Sequence, residues 1–366
     1  MEKHKIKLAL LLVVTGLFAG CTATGNQFPT VYESARTSAG DAEKTLTDAE
    51  AIAAMARYVP YAKMSEAVYR RELRGSTALL ATACDYVASS DPKTLALDLP
   101  KDWIRLDRKM MITLGMEPAG AAEPLRPCRG NVGLEYETYV KLDPAGRPLE
   151  ATIAFRGTEN IRRQWLNDWV ANFSNVDFGV GGNAQFKEAR AEGMRMIEAL
   201  ARVLPKTKST PVCTAVQGKT EGMQVPIELT GHSLGGGLAQ HLAYSVDACL
   251  VRSTITFDPS PATGWFFLKW RKAVIAQDPI IHRVYIDGEA LSFVRGVSTK
   301  FNLPRENRVD VRIAFPAISA GPSGRHSMTL LYGSIESASN WQPAAAPAPI
   351  DDYASTVVHP EVSKIN

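Results

Sequence analysis

The stretch Leu229–Gln240, LTGHSLGGGLAQ, places a single serine, Ser233, among four glycines. Because glycine costs backbone entropy, such a run indicates a structural requirement. The segment GHSLG fits G-x-S-x-G, in which a sharp turn exposes a nucleophilic serine and the glycines leave room for close approach. The pattern predicts that Ser233 is a nucleophile and that the N–H of Leu234 stabilises an oxyanion. The plain alternative is a glycine-rich packing turn.

The motif needs a strand before the serine and a helix after it, and the sequence predicts both. The run VPIELTG is typical of a short buried strand, and SLGGGLAQHLAYSV is typical of a helix. Further strands are predicted at GLEYETYVKL, LEATIAFRG, STITFD, HRVYID and VDVRIAF, and helices at about 42–73, interrupted near Pro60, and in QFKEARAEGMRMIEALARVL. Strands that alternate with helices favour an α/β fold with a mostly parallel sheet.

Two motifs together resemble a known family. GHSLGGGLAQ and the earlier AFRGTENIRRQWLNDW are similar to motifs of the class 3 lipases, a branch of the α/β-hydrolases, and SEAVY resembles the end of the family's leading helix. In outline the resemblance covers Ala51–Glu336. It implies an α/β-hydrolase-type, mostly parallel sheet flanked by helices in a single catalytic domain. It also implies that Thr158 supplies the second oxyanion donor and that the segment around Trp165 and Trp169 lies where a lid often forms.

A nucleophilic serine needs a base, and α/β-hydrolases place serine, acid and histidine in that order along the chain. The six histidines are His4, His232, His241, His282, His326 and His359. The first four come too early in this order, and the last lies in the C-terminal tail. His326 follows the strand VDVRIAF by a loop and precedes a helical run, which is where the fold places its base. We therefore expect His326 to be the base.

The acid that orients the base is one of two carboxylates separated by Gly288 in HRVYIDGEALSF. Aligning GEALS with the GDPVP motif of the family selects Glu289, whereas residue type alone selects Asp287. Strand alternation puts both on one face and does not choose between them. We favour Glu289, because a turn at Gly288 would end the strand and bring Glu289 into the following loop. Asp258, in TFDPSP, is a third alternative.

The N-terminus predicts export and a lipid anchor. A basic MEKHKIK and an apolar LALLLVVTGLFAG form a signal peptide over residues 1–20. The ending LFAGC resembles the lipobox of bacterial lipoproteins, which implies cleavage before Cys21 and lipidation of its thiol. Thr22, in place of aspartate, favours the outer membrane, facing the periplasm. We expect a flexible tether over 21–41, the catalytic domain over 42–340, and a Pro/Ala-rich tail over 341–366.

Composition restricts the partners. The 366 residues carry 41 Lys and Arg against 38 Asp and Glu, and this net charge of +3 gives no electrostatic footprint for nucleic acid. We expect no metal, because no Cys/His spacing indicates one, and no cofactor. In an oxidising compartment the four cysteines besides Cys21 can form two disulfides. We expect Cys84–Cys128 and Cys213–Cys249, the pairs nearest in sequence.

These features predict a membrane-tethered serine hydrolase, a lipase or esterase that acts on acyl-ester or lipid substrates. A phospholipase A or a small-ester carboxylesterase of the cell envelope is the first alternative. An inactive hydrolase-like envelope lipoprotein is the second, from a different class of protein. The aromatic run GWFFLKWRK, residues 264–272, either lines an acyl pocket, touches lipid, or belongs to the core.

Overall fold

The computed structural model describes residues 28–37, 40–69, 99–118, 120–128, 134–157, 184–208, 213, 222–271, 273–275, 279–292, 308–315, 321 and 325–341. Cys21, Cys84, Thr158, Trp165 and Trp169 lie outside these ranges. What the sequence predicts for these five residues, and for the tail beyond 341, stays a prediction.

The described chain forms a nine-stranded sheet with a parallel centre. Its strands are β1 Thr30–Thr37, β2 Gly40–Thr45, β3 Trp103–Arg105, β4 Tyr136–Leu142, β5 Pro148–Phe155, β8 Ile227–His232, β9 Ser253–Phe257, β10 Ile281–Ile286 and β11 Arg308–Ala314, while β6 Thr207–Lys208 and β7 Met223–Gln224 form a separate ribbon. The order is β2-β1-β11-β10-β9-β8-β5-β4-β3. The five strands from β11 to β5 are parallel, and antiparallel pairs flank them. The carboxyl ends of these five strands therefore meet at one edge, where sheets of this kind form their sites.

Helices cover both faces of the sheet. They are α1 Asp48–Ala67, α2 Arg108–Thr113, α3 Ala184–Val203, α4 Leu234–Tyr244, α5 Trp265–Trp270 and α6 Met328–Ser339. Ile153 and Leu229 pack in one core cluster with α3 and α4, whereas their strand neighbour Ala154 packs against α1. Because successive strand residues point to opposite faces, α1 lies on the other side of the sheet from α3 and α4. This is the α/β-hydrolase-type architecture that the sequence predicts.

Helix α1 differs from its prediction at both ends and in the middle. It begins after Thr47, whose side chain and backbone N–H form a reciprocal capping box with Glu50. It runs through Pro60 without the predicted interruption, and the side chains on either side, Tyr58 and Ala62, are fully buried. Tertiary packing therefore holds the helix where the proline would weaken it. Within the described ranges, none of the helices combines the length and apolar character needed to cross a bilayer.

The segment 21–41, expected to be a flexible tether, instead supplies β1 and the start of β2 to the sheet. Strand β1 pairs antiparallel with β11, with Thr30 opposite Ala314 and Arg36 opposite Arg308. Val31 is buried in the same core cluster as β10 and β11. The residues of this segment are polar and small, but the backbone of β1 forms hydrogen bonds with N–H and C=O groups that β11 would otherwise expose.

Disulfide bonding follows the predicted pairing where it is described. Cys213 and Cys249 form a disulfide with an S–S distance of 2.09 Å, which confirms one predicted pair. Cys128 is also disulfide-bonded. Its predicted partner, Cys84, lies outside the described ranges, so that pairing stays a prediction.

Candidate active site

Ser233 lies in the sharp turn between β8 and α4, at the carboxyl edge of the sheet. β8 ends at His232 and α4 begins at Leu234, so the serine alone forms the connection. Its backbone angles are φ 55° and ψ −125°, which is a strained conformation for a residue with a side chain. Strain of this kind persists only where the surrounding structure imposes it. The turn is the strand–serine–helix geometry that exposes a nucleophile.

The glycines on either side of Ser233 allow the strand and helix to meet. A Cβ atom at Gly231 would lie 2.5 Å from the backbone of Gly235. A Cβ atom at Gly235 would lie 2.1 Å from the carbonyl oxygen of Phe155, the last residue of β5. These neighbours are backbone atoms and have little freedom to move. The two glycines of the motif are therefore required by close approach rather than by a loose loop.

His326 connects the serine to a carboxylate. Its Nε2 atom lies 2.9 Å from Ser233 Oγ, and its Nδ1 atom lies 2.8 Å from Glu289 Oε2. Since an ionised carboxylate only accepts hydrogen bonds, Nδ1 carries the proton and Nε2 is free to accept from the hydroxyl. All three residues are at most 5% exposed, so water competes little for these bonds. The arrangement is a continuous route for the serine proton toward the imidazole.

Glu289 is fixed by the turn that precedes it and by the loop that follows. β10 ends at Ile286, and Gly288 has a φ of 70°, a region that favours glycine. The carboxylate of Glu289 also accepts from the backbone N–H of Leu291 at 2.8 Å and from Ser292 Oγ at 3.3 Å. These donors stabilise the charged form and hold one oxygen toward His326.

Asp287, the alternative acid, points elsewhere. Its carboxylate lies 3.2 Å from Arg312 Nη1, and its side chain is 45% exposed. Its backbone carbonyl accepts from Arg325 Nη1 at 3.1 Å. The turn at Gly288 rotates the two carboxylates apart, so that Glu289 meets His326 while Asp287 forms a surface ion pair.

Asp258, the third alternative, lies close to the site in another role. It follows β9, is fully buried, and has a φ of 39°. Its Oδ1 accepts from the backbone N–H of Ile286 at 3.1 Å, which ties the end of β9 to the end of β10. His232, Asp258 and His326 each have one possible metal-ligand atom, and these three atoms lie within 4.8 Å of one another. Both ring nitrogens of His326 already form hydrogen bonds, with Glu289 and Ser233, so a metal ion bound to His326 would displace one of these two residues.

The predicted oxyanion donors are described only in part. Leu234 is the first residue of α4, and the N–H groups of a first helical turn have no partner within the helix. Thr158 lies outside the described residues, but Gly157 before it packs against the turn. A Cβ atom at Gly157 would lie 3.0 Å from Ser233 Cβ. The end of β5 thus reaches the serine from the side opposite β9.

Two residues of the aromatic run belong to the core. Trp265 and Leu268 of α5 are at least nine-tenths buried and pack with Tyr244 and Ile281 in one small cluster. Trp270 is 78% exposed at the end of the same helix. Of the three roles that the sequence allows for this run, core packing therefore applies to Trp265 and Leu268.

The sequence does not predict that Tyr69 belongs to the site, nor that His232 contacts it. The Tyr69 hydroxyl lies 2.9 Å from His232 Nδ1 and accepts from the backbone N–H of Gly157 at 2.9 Å. Tyr69 is the last residue of SEAVY, so the motif marked its position without indicating its contacts. His232 comes too early in the chain order to be the base, so that order does not point to it.

One comparison, with models of protein families, matches the part of the chain that contains the serine turn. Residues 152–257, from within β5 to the end of β9, match the family model described as lipase (class 3). No curated protein matches the chain. The matched segment contains Ser233 and its turn, whereas Glu289 and His326 lie beyond it. The chain is thus similar to class 3 lipases over the part that builds the serine turn.

Solved structures that resemble the chain are also lipases and esterases. The extracellular lipase LipA from Serratia marcescens is 16% identical, with a TM-score of 0.34, covering 65% of this chain and 40% of its own. A hyperthermophilic esterase from the archaeon Pyrobaculum calidifontis is 16% identical, with a TM-score of 0.31; the match covers 63% of this chain and 90% of the esterase. A monoclinic crystal form of the Pyrobaculum calidifontis esterase is 15% identical, with a TM-score of 0.30; the match covers 63% of this chain and 90% of the esterase. This chain therefore spans well under half of the length of the Serratia lipase. The parallel sheet and the strand–serine–helix turn are of the α/β-hydrolase type, and the likeness to class 3 lipases covers residues 152–257.

Proposed function

We propose that this protein is a membrane-tethered serine hydrolase that cleaves acyl esters. The observation that carries the proposal is the chain of hydrogen bonds from Ser233 through His326 to Glu289, built on a strained strand–serine–helix turn. Ser233 attacks the ester carbonyl while His326 Nε2 takes its proton. His326 then gives this proton to the leaving alcohol, and water releases the acid from the acyl-enzyme by the same steps.

Glu289 and the backbone supply the electrostatic part of this mechanism. Glu289 holds the imidazole in the tautomer that can accept from the serine and stabilises the imidazolium that forms. The N–H groups of Leu234 and Thr158 donate to the oxyanion of the tetrahedral intermediate. Neither step needs a metal or a cofactor.

The tethering part of the proposal rests on the sequence LFAGC alone. Its resemblance to a lipobox implies a lipid on Cys21 and residence in the bacterial cell envelope, on the outer membrane facing the periplasm. An acyl chain adds about 0.8 kcal/mol of membrane affinity per buried CH₂, and more than one chain gives stable anchoring. A lipid anchor would keep the enzyme close to ester substrates in the same membrane.

The test compares purified wild type with Ser233→Ala on p-nitrophenyl esters of graded acyl chain length. We expect hydrolysis by wild type and a loss of at least a thousand-fold in kcat/KM for the variant, which keeps the fold but lacks the nucleophile. A maximum at short chains identifies a small-ester carboxylesterase, and release of fatty acid from phospholipid identifies a phospholipase A. A wild-type protein that hydrolyses no ester and does not react with a fluorophosphonate probe is an inactive envelope lipoprotein instead.

A further inference from the structure

The hydroxyl of Tyr69 joins two parts of the site that are far apart in sequence. Tyr69 follows the C-terminal end of α1, on the face of the sheet opposite α4. Its oxygen accepts from Gly157 N–H at 2.9 Å and lies 2.9 Å from His232 Nδ1. The carbonyl oxygen of His232 is farther away, at 3.5 Å. The hydroxyl is therefore closer to Nδ1 than to the carbonyl oxygen, which gives the relay Gly157 N–H to Tyr69 Oη to His232 Nδ1.

The first end of the relay lies beside the proposed oxyanion donor. Gly157 immediately precedes Thr158 and is wedged between the hydroxyl of Tyr69 and the serine turn. A Cβ atom on Gly157 would lie 2.6 Å from the Tyr69 oxygen and 2.5 Å from the carbonyl oxygen of His232. The position of the backbone at Gly157 is therefore set by Tyr69 on one side and by the turn on the other.

The second end of the relay lies beside the proposed base. The rings of His232 and His326 have centroids 4.9 Å apart and an interplanar angle of 39°. His232 also meets Tyr69 edge-on, with centroids 5.6 Å apart. The guanidinium carbon of Arg156 lies 5.5 Å from the centroid of the Tyr69 ring, which helps to hold the ring in place. Burial raises the pKa of Tyr69, so the hydroxyl keeps its proton throughout the range in which hydrolases work.

We propose that Tyr69 is a positioning residue that, through Gly157 and His232, holds the end of β5 against Ser233 and His326. This inference rests on the proposed function, because it assigns Tyr69 to the same hydrolytic site. The hydrogen bonds of the Tyr69 hydroxyl go to Gly157 and His232 rather than to the serine or the base. Its effect is on the geometry of the transition state, where a small displacement of one donor is costly.

Helix α1, which precedes Tyr69, offers a matched control. The hydroxyl of Tyr58, within α1, lies 3.1 Å from Nδ1 of another histidine, His282, with ring centroids 5.8 Å apart. Tyr58→Phe and Tyr69→Phe each remove one oxygen and one tyrosine–histidine hydrogen bond. Only Tyr69 contacts Gly157, so the two variants differ in their connection to the oxyanion backbone rather than in the kind of bond lost.

The experiment measures kcat and KM of the purified full-length protein on its best p-nitrophenyl ester, and the inhibition constant of phenylboronic acid, which forms a tetrahedral adduct on a serine. For Tyr69→Phe we expect kcat to fall about 10- to 100-fold at nearly constant KM. The inhibition constant should rise about as much as kcat/KM falls, because the adduct uses the same oxyanion donors. Tyr58→Phe should leave all three values near wild type.

Further measurements keep the inference falsifiable. Thermal unfolding of both variants checks that the loss is not one of folding. His232→Phe should lower kcat as well, and Tyr69→Phe combined with His232→Phe should lose less than the product of the two single effects. Equal kcat in Tyr69→Phe and Tyr58→Phe, with wild type active, overturns the role of Tyr69 and leaves the proposed function standing. A wild type that hydrolyses no ester overturns both.

Discussion

At the scale of single residues, the contact with His326 distinguishes Glu289 from Asp287, two carboxylates with one glycine between them in the sequence. Glu289 is 3% exposed and bonded to the imidazole at 2.8 Å, whereas Asp287 is bonded to Arg312 at the surface. A carboxylate that orients the base acts on the transition state, so its loss appears in kcat.

We therefore expect Glu289→Gln to lower kcat on p-nitrophenyl esters by about a thousand-fold or more. Asp287→Asn, the matched control, removes the same charge from the neighbouring position and should change kcat by less than about 3-fold, because it breaks only an exposed ion pair. Steady-state kinetics of the two variants decides the assignment. A large loss in Asp287→Asn together with normal turnover in Glu289→Gln would reverse the roles of the two residues.

At the scale of elements, the serine turn depends on how closely α4 approaches β5. A methyl group at Gly235 would lie 2.1 Å from the carbonyl oxygen of Phe155, so either α4 or β5 would have to move. Gly333, in α6, has open space around the same added atom. The two glycines thus separate close approach from the general effect of glycine on a helix.

We expect Gly235→Ala to lower both the thermal midpoint and kcat, since the displaced helix carries the serine turn with it. Gly333→Ala should instead raise the free energy of unfolding by up to about 1 kcal/mol, because alanine loses less backbone entropy in a helix. Thermal unfolding with parallel ester assays measures both. Wild-type stability and turnover in Gly235→Ala would contradict the close-approach argument.

The Cys213–Cys249 disulfide links residues 36 positions apart, between the segment before β7 and the segment before β9. In the chain-entropy model, closing a loop of this length stabilises the folded state by about 3–4 kcal/mol. We expect the double variant Cys213→Ala/Cys249→Ala to lose a comparable free energy of unfolding, measured in urea. An unchanged unfolding midpoint would show that the bond contributes nothing to the fold.

At the scale of the whole molecule, two buried histidines make the fold sensitive to acid. Burial, with a smaller contribution from the nearby Arg190, lowers the pKa of His241 to about 4, although a hydrogen bond to the carbonyl of Thr263 opposes the shift. Burial also lowers the pKa of His282 to about 4. Between pH 6.5 and 4 the unfolded chain binds more protons than the native one, so stability falls as the pH falls through this window.

For His241 alone, the loss between pH 7 and pH 5 should be about 2 kcal/mol. We expect His241→Gln, which does not titrate there, to lose that much less free energy of unfolding than wild type over the same interval. Urea unfolding of both proteins at pH 7 and pH 5 makes the comparison. An identical pH dependence in the variant would mean that His241 is not the titrating group.

The lipid anchor belongs to the same scale, because β1 begins at Thr30, close behind Cys21. An extended chain spans at most about 3.5 Å per residue, so a lipid on Cys21 would keep this edge of the sheet within about 30 Å of the bilayer. We expect wild type in the membrane fraction and Cys21→Ala in the soluble fraction, with a lipid mass only on wild type. A Cys21→Ala protein that sediments with membranes, beside a wild type without lipid, would contradict the anchor.

The sequence by itself determined the local parts of this protein. Alternation and helical spacing identified the central strands and the helices α3 and α4, because these signals depend on neighbours a few residues apart. The order of Ser233, Glu289 and His326, and the turn at Gly288, were also accessible, since G-x-S-x-G and a glycine turn are local backbone requirements.

Only the tertiary structure decided contacts between distant segments. Polar composition predicts a tether where β1 and β2 form. These strands form because β1 pairs with the edge of β11, which lies about 270 residues later in the chain and cannot be seen from local composition. Pro60 suggested a break that packing overrides. The link from Gly157 through Tyr69 to His232 spans 88 and 163 positions. A sequence lists the groups that can bond, but the folding of α1 onto the sheet determines which of them meet.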